Sequence, residues 1–206
     1  MTLILGSGIL KEVLVVILCY LIGSIPFSYI SAQVLAHTDV RSRGSGNVGA
    51  TNVYRTSGVW AGLLALTGDL LKGAVAAWLG LYMGGPVLVI ICSLAAVIGH
   101  CYPLFLKFRG GKAVATAGGV VLFLMPKVGL TLLLLFIAVV VLTRYVSLGS
   151  VIVAISLPFV AYLFHYPWHY TVLGALMMII VVYRHRENIS RLKTGSEARL
   201  WDSGWR

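Results

Sequence analysis

The sequence predicts an all-α integral membrane protein, a polytopic helical bundle of about seven transmembrane helices. Three observations carry that prediction. Hydrophobic residues make up 59% of the 206 and charged residues only 11%, whereas a soluble domain has about a quarter of its residues charged. Runs of roughly twenty apolar residues recur along the whole length, at a mean hydropathy of +0.96. The alternating segments of about ten residues that a transmembrane barrel needs are missing.

The expected spans follow in order along one domain with no internal repeat. The first covers about 13–35. Lys11 before it suggests a signal peptide, but no small-x-small cleavage site follows, so it reads as a retained helix. The next two runs cover 59–82 and 86–103. The stretch 113–143 is too long for one helix and short for two. Pro126-Lys127 offers a turn, giving a hairpin of 114–125 and 128–143, with five or six spans as the alternative count. Runs at 147–164 and 168–183 complete the bundle. His165 and His169, among Tyr166, Trp168 and Tyr170, read as an interfacial aromatic belt. Cys19, Cys92 and Cys101 are too scattered for a disulfide framework and read as packing residues.

Cations set the orientation. One side collects Arg41, Arg43, Arg55, Lys107, Arg109, Lys112, Arg144 and the six cations from Arg184 to Arg206; the other has Lys11 and Lys127, and Lys72 lies within a span. Positive charge marks the cytoplasmic side, so the N-terminus is expected outside and the C-terminus in the cytoplasm. The polar loops 36–58, 104–113, 143–150 and 184–195 then share the cytoplasmic face. Arg41, Arg191, Lys193 and Arg199 read as topology signals or lipid-headgroup anchors. Arg55 and Lys112, set among glycines and amides, read as site residues.

Two of these loops carry chemistry. The first, 43–55, has Gly44, Gly46 and Gly49 at the spacing of a dinucleotide fingerprint, with Asp69 twenty residues later. That fingerprint needs a preceding strand, and here an apolar span precedes it and Asp69 lies inside the next one. A general anion site remains: open backbone at Gly44 and Gly46, donors on Ser45, Asn47, Thr51 and Asn52, and Arg55, with Thr51 or Asn52 able to cap the following helix. The second, Phe108 to Lys112, offers Arg109, Gly110, Gly111 and Lys112 at the start of an apolar helix. It lacks the spacing and the Ser/Thr of a P-loop, but a helix N-terminus beside a lysine favours an anion. Neither loop contains a carboxylate.

Other polar residues support these loops. Asp69 and Lys72 share a helical face within a span and read as a structural ion pair tying that helix to its neighbours. His100 is either an interfacial residue or a partner that orders the second loop. Arg144 and Ser147 lie on the cytoplasmic side with Ser150 a turn later, an inward-facing hydroxyl by periodicity. His185 and Asn188 share a face at the cytoplasmic mouth, and Glu187 and Arg191 are spaced to support that helix until Gly195 stops it.

The segments GSGNVGATNVYR, Asp69-x-x-Lys72-Gly, GHCYPLFLKFRGGKAVAT, RYVSLGS and YRHRENI, in this order over nearly the whole chain, resemble the bacterial acyl-phosphate glycerol-3-phosphate acyltransferases, the PlsY type. The resemblance implies a metal-free and cofactor-free seven-helix enzyme of the bacterial inner membrane. It would move a fatty acyl group from acyl phosphate to the 1-hydroxyl of glycerol 3-phosphate, giving lysophosphatidic acid and phosphate in the first step of phospholipid synthesis. It places the site at Ser45, Asn47, Arg55, Lys112, Ser150, His185 and Asn188, with phosphate held at Gly110 and Gly111. Ala113 departs from the pattern, which commonly has glycine there. The implied partners are glycerol 3-phosphate, acyl phosphate, membrane lipids and a soluble enzyme that makes the acyl phosphate, with no nucleic acid.

The residues agree with that chemistry. No histidine is followed by the His-x4-Asp spacing of the usual acyltransferase base. A substrate phosphate with a second pKa near ~6 can itself take a proton. Arg55 and Lys112 are expected to bind phosphates, Ser45, Asn47 and backbone amides to steady the oxyanion, and His185 to orient by hydrogen bonding, or to accept a proton as the runner-up. The competing class is a transporter or flippase for an anionic lipid or phosphorylated metabolite. The one-sided polar loops and the missing inverted repeat stand against it.

Overall fold

The computed structural model describes residues 2–200 of the chain, with side chains from residue 8 onward. Arg206, counted above among the cytoplasmic cations, lies outside them. The described residues form ten α-helices and a short 3-10 turn, with no strand. They are α1 (Thr2–Ser24), α2 (Phe27–Ala36), α3 (Ala50–Ser57), α4 (Val59–Met83), α5 (Pro86–Cys101), α6 (Val114–Leu124), α7 (Pro126–Thr143), α8 (Val146–Leu163), α9 (Trp168–Arg184) and α10 (Arg186–Lys193). By length and composition five segments can cross a membrane, and α6 and α9 are shorter apolar helices. Large apolar side chains such as Leu134, Leu142 and Phe159 are exposed around the bundle, as a lipid-facing surface requires.

The expected first span of 13–35 is interrupted. Pro26 has no N–H and disfavours helix at Ile25, so α1 ends at Ser24 and α2 begins at Phe27. The break is used. The Lys72 ammonium donates to the freed Ile25 carbonyl at 3.0 Å and pairs with Asp69 at 2.7 Å. The Ser28 hydroxyl donates to the other Asp69 oxygen at 3.1 Å. Both charges are buried, so the pair holds α4 against the α1–α2 break with its polar atoms engaged.

The stretch 113–143 forms two helices that turn at Met125, before Pro126. Small residues let α6 lie close on α4: a Cβ at Gly119 would run into the Leu70 carbonyl, and one at Gly73 into that of Thr116. The largest buried cluster joins α4 to α9, with Val120, Met125, Leu157, Leu173 and Met177 at its centre.

Candidate active site

Polar loops and helix starts from five parts of the chain meet at one end of the bundle, around a cavity of about 1420 Å³. That exceeds the ~300–1,000 Å³ of an ordinary ligand pocket. Four helix N-termini line it: Gly49–Thr51 of α3, Ala113–Ala115 of α6, Val146 and Ser147 of α8, and His185–Glu187 of α10. A helix start carries free N–H groups and a partial positive charge, so their convergence makes an anion-attracting rim, to which α10 adds least because the His185 amide bonds the Val181 and Val182 carbonyls of α9.

The first loop is built around Asn52, which is buried. Its side-chain nitrogen donates to the carbonyls of Val40, Arg43 and Asn47 at 3.0–3.2 Å, and its oxygen accepts the Ser45 amide at 3.0 Å. Gly44 and Gly46 take φ of 59° and 69°, which lets the chain fold around that hub. Asn52 therefore shapes the loop from within. The expected helix cap at Thr51 or Asn52 is not what forms: both lie inside α3, and the N-cap is Gly49 with no side-chain bond. Gly49 is extended, with φ of −151° and ψ of 155°, and the helix begins directly after it at Ala50, ahead of both residues. Ser45, Asn47, Thr51 and Arg55 line the cavity.

The second loop differs from expectation in which atoms it offers. The Gly110 and Gly111 amides donate to the Cys101 and His100 carbonyls at 3.2 and 3.1 Å. Their carbonyls are held by Arg184, whose guanidinium makes three bonds to them of 2.9–3.1 Å and lies over the Tyr102 ring at 5.1 Å. Both peptide groups are thus engaged, and the donors left to a phosphate are the first-turn amides of α6 together with Lys112. His100 is buried, with its ring 3.4 Å from Asp69. Of the two readings offered by the sequence, it orders the loop, through its carbonyl. Ala113 holds φ of 59°, a left-handed conformation costing an L-residue about 1–2 kcal/mol that glycine avoids.

The last helices close the site. The Lys112 ammonium donates to the Asn188 side-chain oxygen, and the Asn188 nitrogen donates to Glu197 at 2.6 Å. Glu197 also accepts from Arg191 at 2.7 Å. Burial lowers the Lys112 pKa to about 8, with the Glu197 charge opposing the shift. His185 is buried and its Nδ1 lies 2.8 Å from the Val181 carbonyl; as the neutral ring it donates there and leaves Nε2 as an acceptor. Burial lowers its pKa to about 4 against that bond. Burial alone would raise Glu197, but the hydrogen bonds from Asn188 and Arg191 and the Arg191 charge help to hold the carboxyl below its usual range. The Ser150 hydroxyl donates to the Val146 carbonyl one turn back, at 2.9 Å, and lines the cavity.

Ser45, Gly46, Asn47, Thr51, Asn52, Arg55, Arg109, Gly110, Lys112, Ser147, Ser150, His185 and Asn188 thus border one cavity, with Asp69 and His100 at its inner wall. Gly44, Lys72, Gly111 and Arg144 do not line it. Sequence reasoning missed Arg184 and Glu197. Arg184 was one of several cations in a run, and Glu197 one polar residue after a helix-stopping glycine. The expected Glu187–Arg191 support does not form, because Arg191 turns to Glu197 instead. Arg191 and Arg199, expected as headgroup anchors, hold the tail: Arg199 donates to the Tyr145 hydroxyl at 3.3 Å, and the Leu200 amide to the Arg144 carbonyl at 2.8 Å. Arg55 donates to the Ala198 and Arg199 carbonyls at 3.3 and 3.1 Å, so the tail is tied to α3 beside the cavity.

Comparison with known proteins places this arrangement. A family model described as glycerol-3-phosphate acyltransferase matches residues 13–195. A glycerol-3-phosphate acyltransferase of Syntrophomonas wolfei is 57% identical over 193 residues, covering 94% of this chain and 99% of the relative. Glycerol-3-phosphate acyltransferase 2 of Moorella thermoacetica is 46% identical over 187 residues, covering 91% and 96%. The crystal structure of PlsY, an integral membrane glycerol 3-phosphate acyltransferase, in its glycerol 3-phosphate form is similar at a TM-score of 0.87 and 40% identity, over 92% of this chain and 95% of that one. Its lysophosphatidic acid form gives a TM-score of 0.84 at 39% identity, over the same shares.

Proposed function

The chain belongs to the glycerol-3-phosphate acyltransferase family, and from that premise we propose how its cavity carries out the transfer. It is an integral membrane glycerol-3-phosphate acyltransferase whose product is lysophosphatidic acid. The acyl donor is acyl phosphate, supplied by a soluble enzyme, and the acceptor is the 1-hydroxyl. Seven spans, the bacterial inner membrane and a site open to the cytoplasm complete the reading, the last supported by the cations gathered at the cavity end.

One observation carries the reading. The cavity has an anion-attracting rim, with four helix N-termini and Lys112, and continues into an apolar cleft lined by Val121, Leu132, Leu157 and Met177. Such a shape suits a phosphate joined to a hydrocarbon tail, with room beside it for a second phosphate.

Lys112 and the α6 amides hold one phosphate, and Arg55 with the first loop holds the other. The acceptor hydroxyl attacks the acyl carbonyl. A new carbon–oxygen bond forms, the bond from carbonyl carbon to phosphate oxygen breaks, and phosphate leaves with that electron pair. The Ser45 and Asn47 side chains steady the negative carbonyl oxygen. The hydroxyl proton passes to the leaving phosphate. With a second pKa near ~6, phosphate is a better acceptor than His185 at about 4 or the ion-paired Glu197. His185 accepts a hydrogen bond at Nε2 from the other hydroxyl of glycerol 3-phosphate, which orients the attacking one.

Purified protein in lipidic mesophase or detergent, given acyl phosphate and glycerol 3-phosphate, is expected to release lysophosphatidic acid and phosphate in equal amounts. If neither appears while vesicles containing the protein pass a labelled anion, the transporter reading replaces this one.

A further inference from the structure

The apolar part of the cavity has a definite end. On one side it is lined by Lys112 and then α6, past Gly118 to Leu122, and on the other by α7, from Phe136 past Leu132 to Gly129. These are the two arms of the hairpin that turns at Met125. Gly129 lies against the Leu122 side chain, so close that a Cβ there would meet it at 2.7 Å. The arms therefore touch at the turn and are parted by the cleft above it, and Leu157 of α8 lines the same narrow end.

The depth of this wedge is set by α6. Eight positions separate Val114, the start of α6, from Leu122, about 12 Å at the helical rise, and Lys112 stands two residues beyond that start. A bilayer's hydrocarbon core is ~30 Å thick, so ~15 Å is one leaflet, the depth that a lipid's acyl chain occupies. The closed end stands about one acyl chain below the phosphate rim.

Gly118 lies partway down and differs from its neighbour. At Gly119 a Cβ would strike the Leu70 carbonyl, so helix packing requires glycine there. At Gly118 the nearest atom to a Cβ would be Leu70 Cδ2 at 3.5 Å, an ordinary contact. Packing leaves room for a side chain at 118; what its absence leaves open is the cleft.

We propose that Gly118 and the Leu122–Gly129 contact select acyl-chain length, Gly118 by keeping the cleft wide at mid-depth and Leu122 by closing its end. This rests on the reading of the cavity as the acyl-donor site. Gly118→Leu introduces a better helix former into open space, so the fold is expected to survive it.

The test compares kcat/KM for palmitoyl and octanoyl phosphate in the full chain, with direct binding of palmitoyl and octanoyl lysophosphatidic acid as a second readout. Gly118→Leu is expected to lower the palmitoyl-to-octanoyl ratio about tenfold or more, since several methylenes lose their place. Leu122→Ala is expected to raise the ratio of stearoyl to palmitoyl turnover. Ratios within about twofold of wild type in both variants overturn the proposal. If the wild-type chain turns over no acyl phosphate at all, the donor assignment falls. The binding readout then still decides the gauge, by whether Gly118→Leu shifts chain-length preference for lysophosphatidic acid.

Discussion

The Lys112 ammonium donates to the Asn188 side-chain oxygen across 76 positions of sequence, and that bond joins the second glycine loop to the last helix. Asn188 in turn bonds Glu197, so the lysine is aimed by a chain of contacts ending in an ion pair with Arg191. Burial favours the uncharged amine and the nearby carboxylate favours the charged one; the balance lies at about 8. At neutral pH the lysine is charged and partly stripped of water, the state in which a phosphate gains most from it.

The first prediction concerns this lysine. Lys112→Ala is expected to lower kcat/KM by about 10²–10³, the usual cost of a preorganised donor to developing charge. In the wild type, kcat/KM for the phosphorylated substrates should fall as pH rises through about 8, because the neutral amine no longer pairs with phosphate. Lys112→Arg should abolish that alkaline limb whatever its absolute rate. Steady-state kinetics from pH 6 to 10 would decide it, and an unchanged limb in the arginine variant would assign the titration elsewhere.

His185 yields the opposite kind of prediction. With a pKa near 4 it is neutral throughout the working range, so the pH profile should show no limb from it between 5 and 7. His185→Gln keeps a polar side chain and should cost less than about tenfold in kcat, whereas loss of a general base costs ~10²–10⁴. The same shift bears on stability. The folded-state pKa lies below the ordinary 6.5, so the unfolded chain binds more protons between 6.5 and 4. Stability is therefore complete above 6.5 and falls as pH drops towards 4, by on the order of 3 kcal/mol. Thermal unfolding in detergent across that window should be flatter in the glutamine variant.

Arg184 is predicted to act through the loop it clamps. Arg184→Ala removes three bonds to the Gly110 and Gly111 carbonyls and frees a loop whose job is to present Lys112. KM for the phosphate it serves should rise about tenfold or more with a smaller change in kcat. Arg184→Lys should recover little, since one ammonium cannot reproduce a planar fork. Gly111→Ala tests the same loop from the other side, because its Cβ would meet the Val48 carbonyl and the His100 ring. Equal falls in kcat and kcat/KM would instead give Arg184 a role in the transition state.

What the sequence showed and what it hid divide along physical lines. The lipid environment imposes apolar run lengths, so the bundle was legible from composition. Phosphate chemistry needs glycines, amides and cations together, so both loops and the His185–Asn188 face stood out. Pro26 was visible, but a long apolar run masked the break that it makes. The Gly110 and Gly111 amides looked free because nothing in local sequence reveals that the chain folds back onto Cys101 and His100. Glu197 stayed hidden for the same reason: its meaning comes from Asn188 and Arg191, which only the folded tail brings near.

Glu197 should matter for holding the site together. Its side chain is 8% exposed and Arg191 is 41% exposed, so solvent screening limits the ion pair itself. The larger cost of Glu197→Ala is the unmet donor on Asn188, about 1–3 kcal/mol. Glu197→Gln keeps an acceptor for Asn188 and should cost less. Melting temperatures in one detergent would rank them wild type, glutamine, alanine. A glutamine variant as unstable as alanine would give the ion pair the main role.

The last prediction concerns the buried Asp69–Lys72 pair, 2.7 Å apart and with both side chains 2% exposed. Such a pair contributes little net stability, because desolvation offsets most of its attraction, yet either charge alone is costly to bury. Asp69→Asn leaves Lys72 with no opposite charge, only neutral acceptors such as the Ile25 carbonyl, and Lys72→Met leaves Asp69 with Ser28 and the nearby His100 ring. Each single change should cost about 3–5 kcal/mol. The double change removes both charges and should cost far less than the sum, so a double-mutant cycle by thermal unfolding should show strong coupling. If the double variant is stable but slow, the pair also serves the reaction, by fixing α4 and His100 behind the second loop. If it is stable and fast, the pair serves only to hold α4 at the break after Ser24. Additive losses would mean that the two charges act separately.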